Sequence, residues 1–339
     1  SPQLKNLIIK DNYAALDVGG GVYYINNYRS TSDIYFENID FINNICESYG
    51  CGMYVQMSAY SWDNTYAYTA YMNSCNFINN ISENGYGAGL RNAMPMTTSE
   101  QSTFYIDKST FIGNFAAMYG SAIYGDGHVI ITNSIITGNS AAQSNSGKVL
   151  RIGEGVVVNT IIYNNGIGNL YHGINMAHNS LIESYAFNDG TYLNCIDNNP
   201  LFTNSENNDY SLLSNSPCID GGTPYSIYDG VVNVDLSPNE YEGFAPDIGM
   251  EETSQMFVPD PIITNIEDIQ DDQGGRAYLD FQRSFHDKDG FANRVEVYSV
   301  ERFDDEWVSV ETLSAYNDST YRVEVTTLVD SSSTTNGLT

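Results

Sequence analysis

Positive charge is what this sequence has least of. Thirteen lysines and arginines stand against 42 aspartates and glutamates in 339 residues, a formal net charge of −29. A surface of that sign repels phosphate backbones, which excludes nucleic acid as a partner. It suits solubility outside the cell and attracts divalent cations. Charged residues of both signs make up only 16%, little for a globular enzyme. Cysteine is also scarce: Cys46, Cys51, Cys75, Cys195 and Cys218 are too few and too scattered for a disulfide framework, and an odd number leaves one unpaired. Cys46 with Cys51 and Cys195 with Cys218 are near enough in sequence to bridge, and buried reduced thiols are the equal alternative. No Cys-x-x-Cys or Cys/His spacing points to zinc. No apolar run is long enough to span a bilayer and no signal peptide opens the chain, which reads as starting inside a repeat.

Hydrophobic residues, at 42%, and aromatics, at 13%, are ample for a core, and 27 of the residues are tyrosine. The polar share is carried by Asn, Ser, Thr and Gly. That mixture describes strands separated by turns, because Asn and Gly tolerate left-handed backbone and Ser/Thr bond to turn amides. The length favours two domains.

One pattern recurs: a polar residue, Phe or Ile three positions on, then Asn at the sixth. It runs Asn6/Ile9/Asn12, Asn38/Phe41/Asn44, Ser74/Phe77/Asn80, Lys108/Phe111/Asn114, Asn133/Ile136/Asn139 and Asn159/Ile162/Asn165. A second element follows the first five: Gly19/Val22, Gly50/Met53, Gly87/Leu90, Gly120/Ile123 and Gly147/Leu150. Helical periodicity is absent. Each unit therefore reads as one coil of short strands, with Phe/Ile pointing inward onto its counterpart in the next coil. The recurrent Asn sits at a corner and pairs with the Asn above and below. A coil cannot bury its apolar face alone, so neighbours stack.

These repeats, over residues 1–185, resemble those of the pectate-lyase-like right-handed parallel β-helices, and in particular the Phe-x-x-Asn and Gly-Gly-x-Ile repeats of polymorphic outer-membrane adhesins. The resemblance implies an all-β fold, a right-handed parallel β-helix or solenoid. It leaves activity open, since that superfamily holds lyases, hydrolases, tailspikes and adhesins. Residues 199–252 carry Asn199-Pro-Leu-Phe, Asp209-Tyr-Ser-Leu, Ser216-Pro-Cys-Ile-Asp-Gly-Gly222 and Pro246-Asp-Ile-Gly-Met-Glu251 in order. This string is similar to the choice-of-anchor Q segment, which implies a cap closing a helix that occupies 1–252 and blunting the strand edges of its last coil. Residues 253–261 read as a linker. Alternation over Ile262–Ile269, Ala277–Phe281, Val295–Arg302, Trp307–Leu313 and Tyr321–Val325 suggests a fibronectin type III-like or Ig-like β-sandwich over 262–339, incomplete at about 77 residues against ~100 for a whole one. Asp271-Asp-Gln-Gly-Gly-Arg-Ala-Tyr-Leu-Asp-Phe281 and Tyr298-Ser-Val-Glu-Arg302 resemble modules that precede the sorting signals of type IX-secreted proteins, which implies an extracellular or cell-surface location.

A pectate-lyase type of site needs carboxylates for Ca²⁺ and an Arg or Lys as base. Lys148, Arg151 and Glu154 form the tightest such group, against the alternative that they only face solvent. The paired aspartates of a polygalacturonase are missing: Asn159-Thr160 is followed by Ile161, and His128 sits in Asp-Gly-His-Val. His172 and His178 have no nucleophile motif beside them. Within Tyr54–Tyr71, the aromatics Tyr60, Trp62, Tyr66 and Tyr68 are candidates for stacking on sugar rings, or for covering the helix face. Asp287-Lys288-Asp289-Gly290 half-matches a calcium loop without its bidentate Glu, so Asp287 and Asp289 are either weak Ca²⁺ ligands or a solvated turn. The expected function is an extracellular binding or adhesion module for polysaccharide or another surface protein. A Ca²⁺-dependent polysaccharide lyase is the alternative, and a structural surface or fibre component the third.

Overall fold

The structure, a computed structural model, describes residues 2–15, 18–26, 33–57, 68–94, 102–143, 147–165, 170–184, 190–253, 261–269, 275–284, 287, 297–316 and 318–328. The chain divides into two compact units, Ser1–Phe257 and Val258–Thr339. Both are built of strands, and among the described residues no helix is long and apolar enough to cross a membrane.

The first unit contains a fifteen-stranded sheet whose strands pair in parallel and a five-stranded parallel sheet of two-residue strands. Its register is set by the repeat. Ile9, Phe41, Phe77, Phe111, Ile136 and Ile162 are successive neighbours across the strands. All but Ile9 are fully buried, and Ile9 packs against them. The rings of Phe41, Phe77 and Phe111 stack with centroids 4.6 and 4.7 Å apart. Burying each such side chain contributes about 1.5–3 kcal/mol. A second inward row is Val22, Met53, Leu90, Ile123 and Leu150, the residues that follow the recurrent glycines.

The corners lie one residue away from where the repeat suggested them. The first residue of each motif (Asn6, Asn38, Ser74, Lys108, Asn133, Asn159) is left-handed, with φ between 45° and 56°. So is the residue just before each recurrent Asn: Asp11, Asn43, Asn79, Gly113, Gly138 and Asn164, with φ between 53° and 67°. Asn and Gly take this conformation at the lowest cost. Four residues, the anchor among them, thus lie between two corners. The recurrent glycine makes a third: Gly50 has φ 62°, and a Cβ there would meet the Met53 carbonyl oxygen at 2.6 Å.

The recurrent Asn forms a continuous ladder and is buried from Asn44 onward, Asn12 being exposed. Each Oδ1 accepts the backbone N–H and the Nδ2–H of the Asn one repeat earlier, from Asn12 to Asn44 (3.3 and 2.8 Å), then Asn80, Asn114, Asn139 and Asn165. The second Nδ2 proton goes to the anchor's carbonyl one coil back, as from Asn80 to Phe41 at 2.9 Å. At the far end the Asn165 N–H meets Glu183 Oε2 at 3.3 Å, a carboxylate where the next Asn would stand. Hydrogen-bonded buried amides help specify the register alongside the apolar rows.

Of the two cysteine pairings that spacing allows, Cys46–Cys51 is formed, while Cys195 and Cys218 are free thiols. Burial pushes the Cys195 thiol up to about 11 and Cys75 up to about 12, so neither is a reactive thiolate.

Residues 199–252 are irregular apart from two small antiparallel pairs, Phe202–Asn204 with Asp209–Leu212 and Tyr225–Tyr228 with Val231–Asp235. Their buried side chains pack on faces of the parallel sheet: Val234 on Ile130, Val156 and Met176, and Cys218 with Ile248 on Ile135, Ile161 and Leu181. Polar ties fasten the segment there. Asn159 Oδ1 accepts the Thr223 N–H at 2.8 Å and its Nδ2 donates to the Thr223 carbonyl; Asn179 Nδ2 reaches the Gly221 carbonyl; His178 Nδ1 lies 3.1 Å from Ser226 Oγ.

The second unit pairs a three-stranded antiparallel sheet (Ile262–Asp268, Arg276–Gln282, Thr320–Thr326) with a two-stranded ribbon (Val297–Asp304, Glu306–Ser314). Ala277, Leu279, Phe281, Tyr321 and Val325 form its core, with Tyr298, Val300 and Leu313 of the ribbon packed against them.

Candidate functional site

Side chains alternate between the two faces of a strand, so each inward row has outward rows beside it. One outward row of the first unit reads Tyr35, Tyr71, Tyr105, Ile130, Val156, Met176 in register. Another reads Asp40, Asn76, Thr110, Ile135, Ile161, Leu181. Both turn aliphatic at the fourth position, where residues 218–248 lie over them. Before that point the second row is polar and internally bonded: Thr110 Oγ1 donates to Asn76 Oδ1 at 2.6 Å and Asn76 Nδ2 to Asp40 Oδ1 at 2.7 Å.

The first row carries tyrosines before that point, and Tyr105 already packs against the cluster of Ile130, Val156 and Val234. Tyr35, Tyr71 and Tyr105 are half-buried and stack with centroids 5.1 Å apart at both steps and planes within 10° of parallel. Burial holds all three phenols above their ordinary pKa, so they stay neutral and each hydroxyl both donates and accepts. The result is a regular amphipathic strip of rings and hydroxyls on a stiff support.

A third outward row, Tyr23, Tyr54, Arg91, Tyr124, Arg151 and His172, alternates rings with cations. The Arg91 guanidinium lies 4.4 Å over the Tyr124 ring and pairs with Asp126 at 2.7 Å. That of Arg151 lies 4.6 Å over Tyr119. Of the lyase group, Arg151 is therefore engaged with an aromatic ring. Lys148 precedes the strand Leu150–Val158, and its carbonyl accepts from Ser121 N and Oγ. Glu154 stands opposite His128, whose pKa is lowered by burial against the opposing charge of Glu154.

A cavity of about 520 Å³ opens between the second row and the overlying segment, lined by Asn76, Thr110, Ile161, Leu212, Ile248 and Glu252 among others. Burial, and then the charge of Asp247, push Glu252 up to about 7. Its carboxylate nonetheless has structural partners, the N–H groups of Glu242 and Asp247. Asp247, itself raised by burial, accepts from Asp220 N and from Thr253 N and Oγ1. These acids buckle the segment to itself.

Two sequence-based candidates change meaning. Tyr68 is 1% exposed, inside the core with Phe36 and Phe104; its ring packs and does not project. Tyr60, Trp62 and Tyr66 lie outside the described residues. Asp287 is 3% exposed and its Oδ2 accepts from the Tyr298 and Tyr321 hydroxyls, so it serves the core of the second unit as a hydrogen-bond acceptor. Asp289 lies outside the described residues, and among those described no group of three His, Cys, Asp or Glu is placed to hold a metal ion. The tyrosine row itself escaped sequence reasoning: its signal is Tyr at the sixth residue before each Phe77-type anchor, legible only once the anchors are aligned. No protein-family model matches the chain, and no curated protein or solved structure matches it.

Proposed function

We propose that this chain is an extracellular or cell-surface binding module, a right-handed parallel β-helix followed by a fibronectin type III-like sandwich, and that its half-buried tyrosine strip takes glycans. In-register anchors and the Asn ladder support the helix, since both require one coil to sit directly on the next. The observation that supports the function is the stacked row Tyr35–Tyr71–Tyr105, which gives way to Ile130, Val156 and Met176 where Val234 packs on the sheet. A covered face needs methyl groups, and an idle exposed face does best with short polar groups. Aligned rings with neutral hydroxyls suit a ligand that is itself part apolar and part hydroxylated, as a sugar polymer is.

The test is binding of the full chain to a panel of polysaccharides by affinity electrophoresis. Tyr71→Ala and Tyr105→Ala each weaken binding about tenfold, the cost of losing an aromatic contact of ~1.4 kcal/mol, with unchanged circular dichroism. Equal binding by wild type and both variants, or no glycan bound at all, contradicts the proposal.

A further inference from the structure

The second unit has an exposed aromatic surface of its own. In the ribbon Val297–Asp304/Glu306–Ser314 the pairs Ser299↔Thr312, Glu301↔Ser309 and Phe303↔Trp307 share one face, and all six residues are exposed. The opposite face carries Tyr298, Val300 and Leu313 and packs into the core. Phe303 and Trp307 meet edge to face at 5.4 Å and 68°, yet remain 58% and 68% exposed. An edge-on neighbour props the indole while leaving ring surface to solvent.

Next to the rings runs a strip of hydroxyls. Ser299 Oγ and Ser309 Oγ lie 3.1 Å apart, with Thr312 beside them, and hydroxyl groups can turn to meet either a donor or an acceptor. Among the described residues the charge on this face is Glu301, with Asp305 at the turn, while Asp304 and Glu306 pair on the other face. Arg302 is on the other face, 3.7 Å from Asp304 and bonded to the Thr326 carbonyl. An uronate or sulfate would meet the Glu301 carboxylate here, with Asp305 at the turn, whereas a neutral sugar would find carboxylate acceptors for its hydroxyls and a ring for its C–H face.

We infer that this ribbon face is a second carbohydrate contact, separate from the tyrosine strip, and that it takes uncharged glycans and rejects acidic ones. It shares the ligand class of the proposed function and rests on different residues, so either can fail alone.

The experiment uses the full chain with Trp62→Phe, which leaves Trp307 as the one tryptophan, titrated with dextran, mannan and laminarin and with polygalacturonate and alginate. At least one neutral polymer quenches or blue-shifts Trp307 emission and neither acidic polymer does. Ser309→Ala with Thr312→Ala weakens that response several-fold, and Tyr71→Ala leaves it unchanged. In the unaltered chain, Trp307→Ala reduces retardation of the protein in gels containing the same neutral polymer. No response to any neutral polymer, a response to an acidic one, or retardation indifferent to Trp307→Ala overturns the inference. A response lost with Tyr71→Ala assigns the binding to the tyrosine strip and overturns it too.

Discussion

The early and late repeats of the first unit share one inward design and differ outside. Inward, Phe77 and Ile162 occupy equivalent places in one row. Outward, the equivalents of Tyr71 and Asn76 become Val156 and Ile161 where residues 218–248 lie over the sheet. In a repeat the inward residue reports the fold, and the outward residue reports what lies over it. Tyr35, Tyr71 and Tyr105 stand out under that rule, being neither the aliphatics of a covered face nor the short polar groups of a bare one.

The comparison can be broken at several points. Phe77→Ala empties the centre of the inward row and should cost about 3–5 kcal/mol in denaturant unfolding; a cost near that of a surface change would dissolve the shared inward design. Asn80→Ala removes the acceptor for two buried Asn44 donors and two donors of its own, with an expected cost of about 2–4 kcal/mol. The reciprocal exchange of Ile161→Asn and Asn76→Ile puts the same chemistry at two points of one row. The first should cost about 3 kcal/mol for an amide buried without partners, and the second under about 1 kcal/mol. Equal costs would mean that the overlying segment does not cover Ile161.

The smallest effect is electrostatic. Glu252, at about 7, and Asp247 both have folded pKa values raised above the ordinary carboxyl range. A raised carboxyl favours the folded state while it is protonated, so its contribution is complete below the unfolded pKa and fades as pH rises through the folded one. Thermal stability should therefore fall between about pH 5 and pH 8, by no more than about 1 kcal/mol once solvent screening is allowed for. Glu252→Gln should flatten that part of the profile, and an unchanged profile would remove Glu252 as its source.

Much of the architecture was legible in the sequence because it repeats. The Phe/Ile anchors, the glycines and the recurrent Asn align without reference to coordinates. The corner positions were not legible, because Ser74 and Lys108 adopt left-handed backbone that their residue type disfavours. The place of residues 199–252 was hidden for a different reason: which aliphatics face outward is knowable only after the register is. Tyr68 and Asp287 misled for the same cause. A tyrosine in an aromatic-rich stretch reads as a platform until it is found among Phe36 and Phe104, and Asp287 reads as a turn acid until Tyr298 and Tyr321 arrive from 11 and 34 residues away.

Hydroxyl-radical footprinting of the folded full chain tests the central claim most directly, because it reads side-chain exposure along a single row. Tyr35, Tyr71 and Tyr105 should be labelled readily while Ile130, Val156 and Met176 are protected, and a bound glycan should protect the tyrosines. Labelling of Met176 on a par with Tyr71, or tyrosines as silent as Phe77, would contradict the account.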